Sequence, residues 1–269
     1  MEFYDATGAA VVLPVPPRRI VSLIPSITET LFALGAGPAV AGCTVYCTEP
    51  ADGVAATMRV GGEKNPKLDV IRELGADLVI ANVEENVREH VETLRGWGIP
   101  VYVTYPRTVA QGIRLVGQLG EVVGLAERGR EMAAALEAAL DEVRRERAAT
   151  MARRVFYPIW RQPWMSVSRD TYAHDMLAVC GGENVFGQSE TRYPEVTLED
   201  VGRAAPDVIL LPDEPYRFRR AHVRDFDAFP DIPAVRERRV HLIDGKLATW
   251  YGPRIALALR VLPPLIRGG

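Results

Sequence analysis

A chain of 269 residues with a net charge of −3, 48% hydrophobic and 25% charged residues is long enough to bury one large core or two smaller ones. The mild acidity argues against a general nucleic-acid binder, which would show a basic face, and no apolar run reaches the length of a membrane span. The N-terminus lacks the basic start and continuous apolar core of a secretory signal. The expectation is therefore either a cytosolic chain or one whose leader was cut away before Met1.

Residues 2–4 and 10–13 flank Asp5-Ala6-Thr7-Gly8 and read as a short hairpin, after which Pro14, Pro16 and Pro17 end regular structure. Residues 19–23 form a buried strand. Ser26, with Glu29 three positions on, fits a capping box for a helix over 27–34 that stops at Gly35. A strand follows at 40–43, a loop at 60–66 and a helix at 67–74. Residues 77–81 have the continuous apolar character of a parallel strand covered on both faces. A helix over 86–97, a strand over 101–104 and a helix over 109–123 complete this half.

Residues 125–153 organise the rest. They hold no Pro, one Gly in the first turn, and Ala, Leu, Glu and Arg throughout. Met132, Leu136, Ala139, Leu140 and Val143 make one narrow apolar stripe, the signature of a single long helix acting as a strut. Beyond it come a strand at 155–159 and a helix at 171–179. A second helix, at 197–204, has a Thr cap and Asp200 three residues later. Strands at 208–211 and 240–243 follow, then a final helix over 253–262 with Pro in its first turn. Alternation of β and α on both sides of the strut implies two α/β lobes, with boundaries 1–124, 125–153 and 154–269. An internal echo supports related halves. Residues 75–82 (GADLVIAN) lead into Glu84 and Glu85, and residues 205–212 (APDVILLP) lead into Asp213 and Glu214.

No G-x-S-x-G, P-loop, H-E-x-x-H or C-x-x-C signature is present. Gly35, Gly37 and Gly42 follow a helix rather than open one, so they are not a dinucleotide fingerprint. His90, His174, His222 and His241 are scattered, with no two at helix-turn spacing, and read as ordinary histidines rather than zinc ligands. The three cysteines read as buried or semi-exposed thiols, with a Cys43–Cys47 disulfide left open.

Ligands of α/β sheets bind beyond the carboxyl ends of the strands. The segments placed there contain Pro25, Ser26, Tyr46, Glu84, Tyr105, Arg107, Trp160, Arg161, Trp164, Tyr193, Tyr216, Trp250 and Tyr251. Three of the four tryptophans are among them; Trp97 is not. Aromatic rings with a few charged groups suit a sizeable, partly apolar ligand. The alternative is that these rings pack the lobes.

Several stretches together resemble a known family: residues 19–29 (RIVSLIPSITE) and 68–81 (LDVIRELGADLVIA), then 180–186 (CGGENVF), 193–200 (YPEVTLED) and 206–209 (PDVI). The chain is similar over nearly its whole length to the helical-backbone solute-binding proteins of ABC importers, and most of all to their cobalamin-binding branch. That resemblance implies two Rossmann-like lobes joined by one long helix, with the ligand in a cleft between them. It implies a monomer outside the cytoplasm that captures cobalamin, haem or an iron–siderophore complex. Such a protein has no intrinsic cofactor, no catalysis and no nucleic-acid partner. It also implies docking on a membrane permease through one acidic residue on each lobe, here Asp69 and Glu199. The competing expectation is a cytosolic metal-cofactor-binding sensor or enzyme on the same scaffold.

Overall fold

The computed structural model describes residues 1–13, 15–148 and 150–268; Pro14, Ala149 and Gly269, and what the sequence predicts for them, lie outside it. The chain divides into two compact units. The first comprises Met1–Pro106, Gln111–Ala135 and Tyr251–Pro253, and the second Arg107–Ala110, Leu136–Trp250 and Arg254–Gly269.

In the first unit β1 (Glu2–Tyr4) and β2 (Ala10–Val12) make the expected hairpin, Glu2 opposite Val12. Its turn is organised by Asp5, whose carboxylate accepts from the Thr7 and Ala9 amides at 2.8 and 3.1 Å and from Arg95 at 2.6 Å. Then come β3 (Ile20–Ser22), α1 (Pro25–Leu34), β4 (Val40–Cys43), α2 (Ala51–Ala55), β5 (Met58–Arg59), α3 (Leu68–Glu73), β6 (Leu78–Asn82), α4 (Arg88–Gly96), β7 (Val101–Thr104) and α5 (Val109–Val122). The strand order is β5-β4-β3-β6-β7, all parallel. From β3 the chain winds outward first one way and then the other, so the order reverses between β3 and β6. Val21, Val79, Ala81, Val101 and Val103 anchor the core on one face of this sheet, against Ile71, Val91 and Leu94.

The long helix α6 (Ala126–Ala148) is continuous, with residues 126–135 counted in the first unit and 136–148 in the second. Of the predicted stripe, Leu136, Leu140 and Val143 are buried, and Met132 and Ala139 are half-buried. It ends short of the predicted 153, because Arg153 already begins a strand.

The second unit holds β8 (Arg153–Phe156), β9 (Pro158–Trp160), β10 (Trp164–Ser166), α7 (Tyr172–Val179), β11 (Gly182–Asn184), β12 (Glu195–Val196), α8 (Leu198–Ala204), β13 (Val208–Pro212), α9 (Arg220–Val223), α10 (Pro233–Arg236), β14 (Val240–Ile243), α11 (Lys246–Thr249) and α12 (Arg254–Arg267). Its parallel sheet runs β11-β8-β13-β14 and reverses between β8 and β13. The separate antiparallel sheet β12-β10-β9 was not anticipated.

The internal echo is structural. Asp77 accepts from the Arg18 and Arg19 amides at 2.8 and 2.9 Å and returns its own amide to the Arg19 carbonyl. Asp207 accepts from the Arg154 amide at 2.9 Å and returns its amide to the Arg154 carbonyl. The Arg19 guanidinium caps the Leu74 carbonyl behind α3, and the Arg154 guanidinium caps the Ala204 carbonyl behind α8. A positive φ follows each helix, at Gly75 and at Ala205. One device, an Asp opening a strand and an Arg closing the helix before it, thus sets β6 against β3 and β13 against β8.

Two helix limits differ from expectation. The 26–29 capping box is absent: the helix begins at Pro25, with Ile24 at the cap position and no side-chain cap bond. Pro suits the first turn because its missing N–H has no partner there in any case. At the other end of the chain α12 runs through Pro263 and Pro264 to Arg267, because its buried stripe continues to Leu262 and Ile266.

Candidate functional site

In each unit the candidate residues follow from the winding. Where strand order reverses, the loops leaving two neighbouring strands part in opposite directions and open a crevice at the carboxyl edge. In the first unit the reversal lies between β3, which leads into Pro25 and Ser26, and β6, which leads into Glu84. In the second it lies between β8, which leads into Trp160, and β13, which leads into Tyr216.

At the first-unit edge the polar groups are tied together. Asn82 Nδ2 donates to Thr104 Oγ1 and to the Tyr251 hydroxyl, both at 3.2 Å, and Asn82 Oδ1 accepts from the Glu84 amide at 2.8 Å. Asn86 Oδ1 accepts from the Asn82 amide at 2.8 Å, and Lys64 donates to the Glu84 carbonyl. Ser26 is buried and hydrogen-bonded to Tyr251, whose phenol is pushed up by its own burial. Tyr105 is half-buried. Tyr46, on the loop after β4, is 59% exposed and offers an open ring.

The second-unit edge is aromatic. Trp160 is 43% exposed, and its ring meets Tyr216 edge-on with centroids 5.4 Å apart. Tyr216 stands against Phe218 at 4.8 Å and His222 at 5.7 Å. Trp164 behaves differently: half-buried, it stacks on Phe218 at 5.5 Å and packs on Phe226 at 5.6 Å, against the core. The β9–β10 hairpin explains why. Side chains alternate across a strand, so Trp160 and Trp164 do not share the role that their spacing suggests.

The arginines are paired. Arg107 Nη1 and Arg192 Nη1 each reach Asp170 at 2.7 Å, and the Arg192 guanidinium lies 5.7 Å from the Tyr193 ring centroid. Arg161 makes a two-pronged bond to Asp225 at 2.7 and 3.1 Å, which raises its pKa. Trp250 is buried, flanked by Lys246 at 5.4 Å and Arg254 at 5.2 Å from its ring centroid. Glu214, bonded to Trp250 and to Thr249 Oγ1, has its pKa raised by burial. Beside this edge a concave surface of about 440 Å³ is lined by Asp213, Arg217, Leu242, Asp244 and Lys246.

Sequence reasoning missed Asp170 and Asp225, and placed Asn82 at a strand end without giving it a role. Asn82 closes a strand already singled out, so its position was the available signal. Asp170 shows itself only through partners 63 and 22 residues away, and Asp225 through one 64 residues away. Asp69 and Glu199 stand in the first turns of α3 and α8, both exposed; Asp69 pairs with Arg72 at 3.0 Å. Among the described residues no cluster of three or more His, Cys, Asp or Glu could hold a metal ion, and no helix is long and apolar enough to cross a membrane.

The chain is similar over most of its length to known proteins. A vitamin B12-binding protein of Vibrio cholerae is 27% identical over 208 residues, 77% of this chain and 75% of its own. An uncharacterized ABC transporter substrate-binding lipoprotein of Bacillus subtilis, YvrC, is 27% identical over 259 residues, 93% of this chain and 80% of its own. The apo structure of the periplasmic heme-binding protein RhuT from Roseiflexus sp. RS-1 superposes with a TM-score of 0.81 at 27% identity, covering 93% of this chain and 98% of that one. The family model described as periplasmic binding protein matches residues 20–247, and the chain belongs to that family.

Proposed function

We propose that this protein is the substrate-binding component of an ABC importer, that it works outside the cytoplasmic membrane, and that its cargo is a flat macrocyclic metal chelate. A corrinoid is the first candidate and haem the second. The observation that carries the reading is the exposed aromatic surface at the carboxyl edges of both sheets: Tyr46 in the first unit, Trp160 on Tyr216 in the second, with Tyr193 beside Arg192. An aromatic face left in water is costly unless something apolar and flat covers it, and a macrocycle has that shape. The relatives named as binding vitamin B12 and heme, and the B. subtilis relative named as an ABC transporter component, support the same class of cargo and the same partner.

Arg107 and Arg192 are held by a shared carboxylate, so they present a positioned pair of guanidinium groups to ligand amides or carboxylates. In this reading Pro25, Ser26, Glu84, Tyr105, Tyr251 and Trp250 shape the edges, and Trp164 and Arg161 support them from behind. Equilibrium dialysis against cyanocobalamin, haemin and a ferric siderophore tests the proposal. Saturable one-to-one binding of a macrocycle is expected; binding of none of the three overturns it.

A further inference from the structure

Cys43 closes β4, and Cys47 lies beyond the turn in which the Cys47 amide donates to the Thr44 carbonyl at 3.2 Å. Both residues are wholly buried, in a small cluster with Val54 and Phe32. That cluster is apolar on one side only. Cys47 Sγ lies 3.1 Å from Thr28 Oγ1 and 3.2 Å from Thr44 Oγ1. Arg59 Nη1 donates to Cys43 Sγ at 3.0 Å, to the Thr44 carbonyl at 3.0 Å and to the Cys47 carbonyl at 2.8 Å. One guanidinium nitrogen therefore holds the first thiol and the backbone of the second, and draws the segment from 43 to 47 into a ring.

Cys180 shows what a purely structural thiol looks like here. It is buried, its sulfur contacts Met176 Sδ at 3.9 Å, and burial pushes it up to about 12. The Cys43–Cys47 pair is different. Cys47 is lowered, first by its hydrogen bond with Cys43 and then by the two threonine hydroxyls, while Cys43 is raised by the same bond and by burial. The two thiols thus lie against one another, with the Arg59 guanidinium on Cys43 Sγ and two threonine hydroxyls on Cys47 Sγ, a polar setting in which either sulfur can be reached by the other.

We propose that Cys43 and Cys47 are a reversible dithiol–disulfide site that staples the loop carrying Tyr46. The oxidant is a small-molecule disulfide or the disulfide of a thiol oxidoreductase. The Cys47 thiolate attacks one sulfur of that disulfide and expels the other as a thiolate. The Cys43 thiol then loses its proton and attacks the mixed disulfide at Cys47 Sγ, releasing the second thiolate. One S–S bond forms in the protein, one breaks in the oxidant, and the two electrons leave with the oxidant. Both sulfurs are wholly buried, so the attack requires a local opening of the short loop between them, whose Val45 and Tyr46 are 52% and 59% exposed. The site stands whether or not the protein captures a macrocycle.

The test uses the full chain, reduced and then equilibrated with mixtures of oxidised and reduced glutathione, quenched in acid, unfolded, alkylated and digested with trypsin. Arg19 and Arg59 bound a stretch with no other Lys or Arg, so both cysteines fall in one peptide, 20–59. Under oxidising mixtures that peptide is expected lighter by the two hydrogens lost and closed to alkylation, with excess reduced dithiothreitol restoring both alkylations. The Cys180 peptide is expected to be alkylated throughout. In Cys43→Ser the reaction stops at a glutathione adduct on Cys47. Two alkyl groups on peptide 20–59 at every mixture, a persistent glutathione adduct on the unsubstituted protein, or a crosslink to Cys180 overturns the proposal.

Discussion

Asn82 Nδ2 donates to the Tyr251 hydroxyl at 3.2 Å across 169 residues of sequence, and so ties the Tyr251–Pro253 segment into the first unit. The same amide reaches Thr104 Oγ1, which in turn donates to the Ala81 carbonyl at 3.0 Å. Tyr251→Phe removes the hydroxyl that Asn82, Ser26 and Thr104 share and leaves buried polar groups short of a partner, an expected cost of about 1–3 kcal/mol. Tyr157 is the opposite case: it is fully buried, and its hydroxyl has no partner among the described residues. Tyr157→Phe deletes an unpaired polar atom and keeps the ring, so it is expected to be neutral or stabilising by about 1 kcal/mol. Urea titration of the two variants checks both signs, each as a shifted midpoint with an unchanged slope.

Gly252 follows Tyr251 with φ at +88°, and a Cβ placed there would lie 2.0 Å from Thr30 Oγ1. That hydroxyl cannot turn aside freely, because it donates to the Ser26 carbonyl at 2.7 Å. Gly252→Ala meets both the backbone penalty and the clash, and is expected to cost about 3 kcal/mol. Adding Thr30→Ala should recover part of the loss, leaving mainly the backbone component. A double-mutant cycle by thermal melting measures the recovery.

The parts of the fold legible in the sequence were those fixed by neighbours in the chain. Thr197 and Asp200 form the expected capping box, since its bonds join residues three apart. The box expected at Ser26 fails because Pro25 takes the first helical position and the Ser26 side chain bonds instead to Tyr251. The final helix was expected to end at 262, yet it runs on to Arg267, because burial of Leu262 and Ile266 outweighs the amide bonds that Pro263 and Pro264 forgo near a helix end. The β9–β10 hairpin is too short for a period of two to register, so Trp160 and Trp164 looked alike when one is exposed and the other packs against the core. Arg107 and Arg161 were expected among the ligand-binding residues, and their pairing with Asp170 and Asp225 could not be read because those carboxylates are remote in sequence.

Burial lowers the pKa of His174 and of His241 from 6.5. His174 Nδ1 lies 3.3 Å from Asn184 Nδ2, which places a donor against it and favours the neutral ring; the adjacent Asp175 works the other way. A group lowered in this way binds fewer protons folded than unfolded. The stability it contributes is therefore full above 6.5 and is lost as pH falls toward the folded value. Glu214, raised from 4.5 by burial, acts with the opposite sign above 4.5. Urea midpoints at pH 7.5 and 5.5 are expected to fall on acidification, and to fall less in His174→Asn. An equal fall in that variant assigns the loss to other groups.

If the exposed rings carry the ligand, Trp160→Ala and Tyr46→Ala should each weaken macrocycle binding about tenfold or more, roughly 1.4 kcal/mol, with little effect on stability. Trp164→Ala should do the reverse, costing about 3 kcal/mol of stability as a core truncation. Dialysis and urea titration on the same three variants separate the roles. Loss of binding in Trp164→Ala alone would mean that the wrong face of the hairpin had been assigned.

The two acids proposed for docking are the harder case, because each already has a local reason to be where it is. Asp69 and Glu199 occupy first turns, where a carboxylate favours the helix by about 0.3–1 kcal/mol, and Asp69 also pairs with Arg72. Glu199 forms no ion pair among the described residues, so its charge is more fully available to a partner. Charge reversal separates the two roles. Asp69→Lys and Glu199→Lys should each cost at most about twice the dipole term, roughly 2 kcal/mol, with the exposed Arg72 pair adding to the loss at Asp69, and leave ligand affinity unchanged. Ligand uptake through the cognate permease in proteoliposomes should fall about tenfold or more, since an attractive pair becomes a repulsive one. The glutamate is expected to show the larger loss, and raising the salt concentration should narrow the gap to the unsubstituted protein. Uptake that survives both reversals at low salt would leave the carboxylates with their helix-capping role alone.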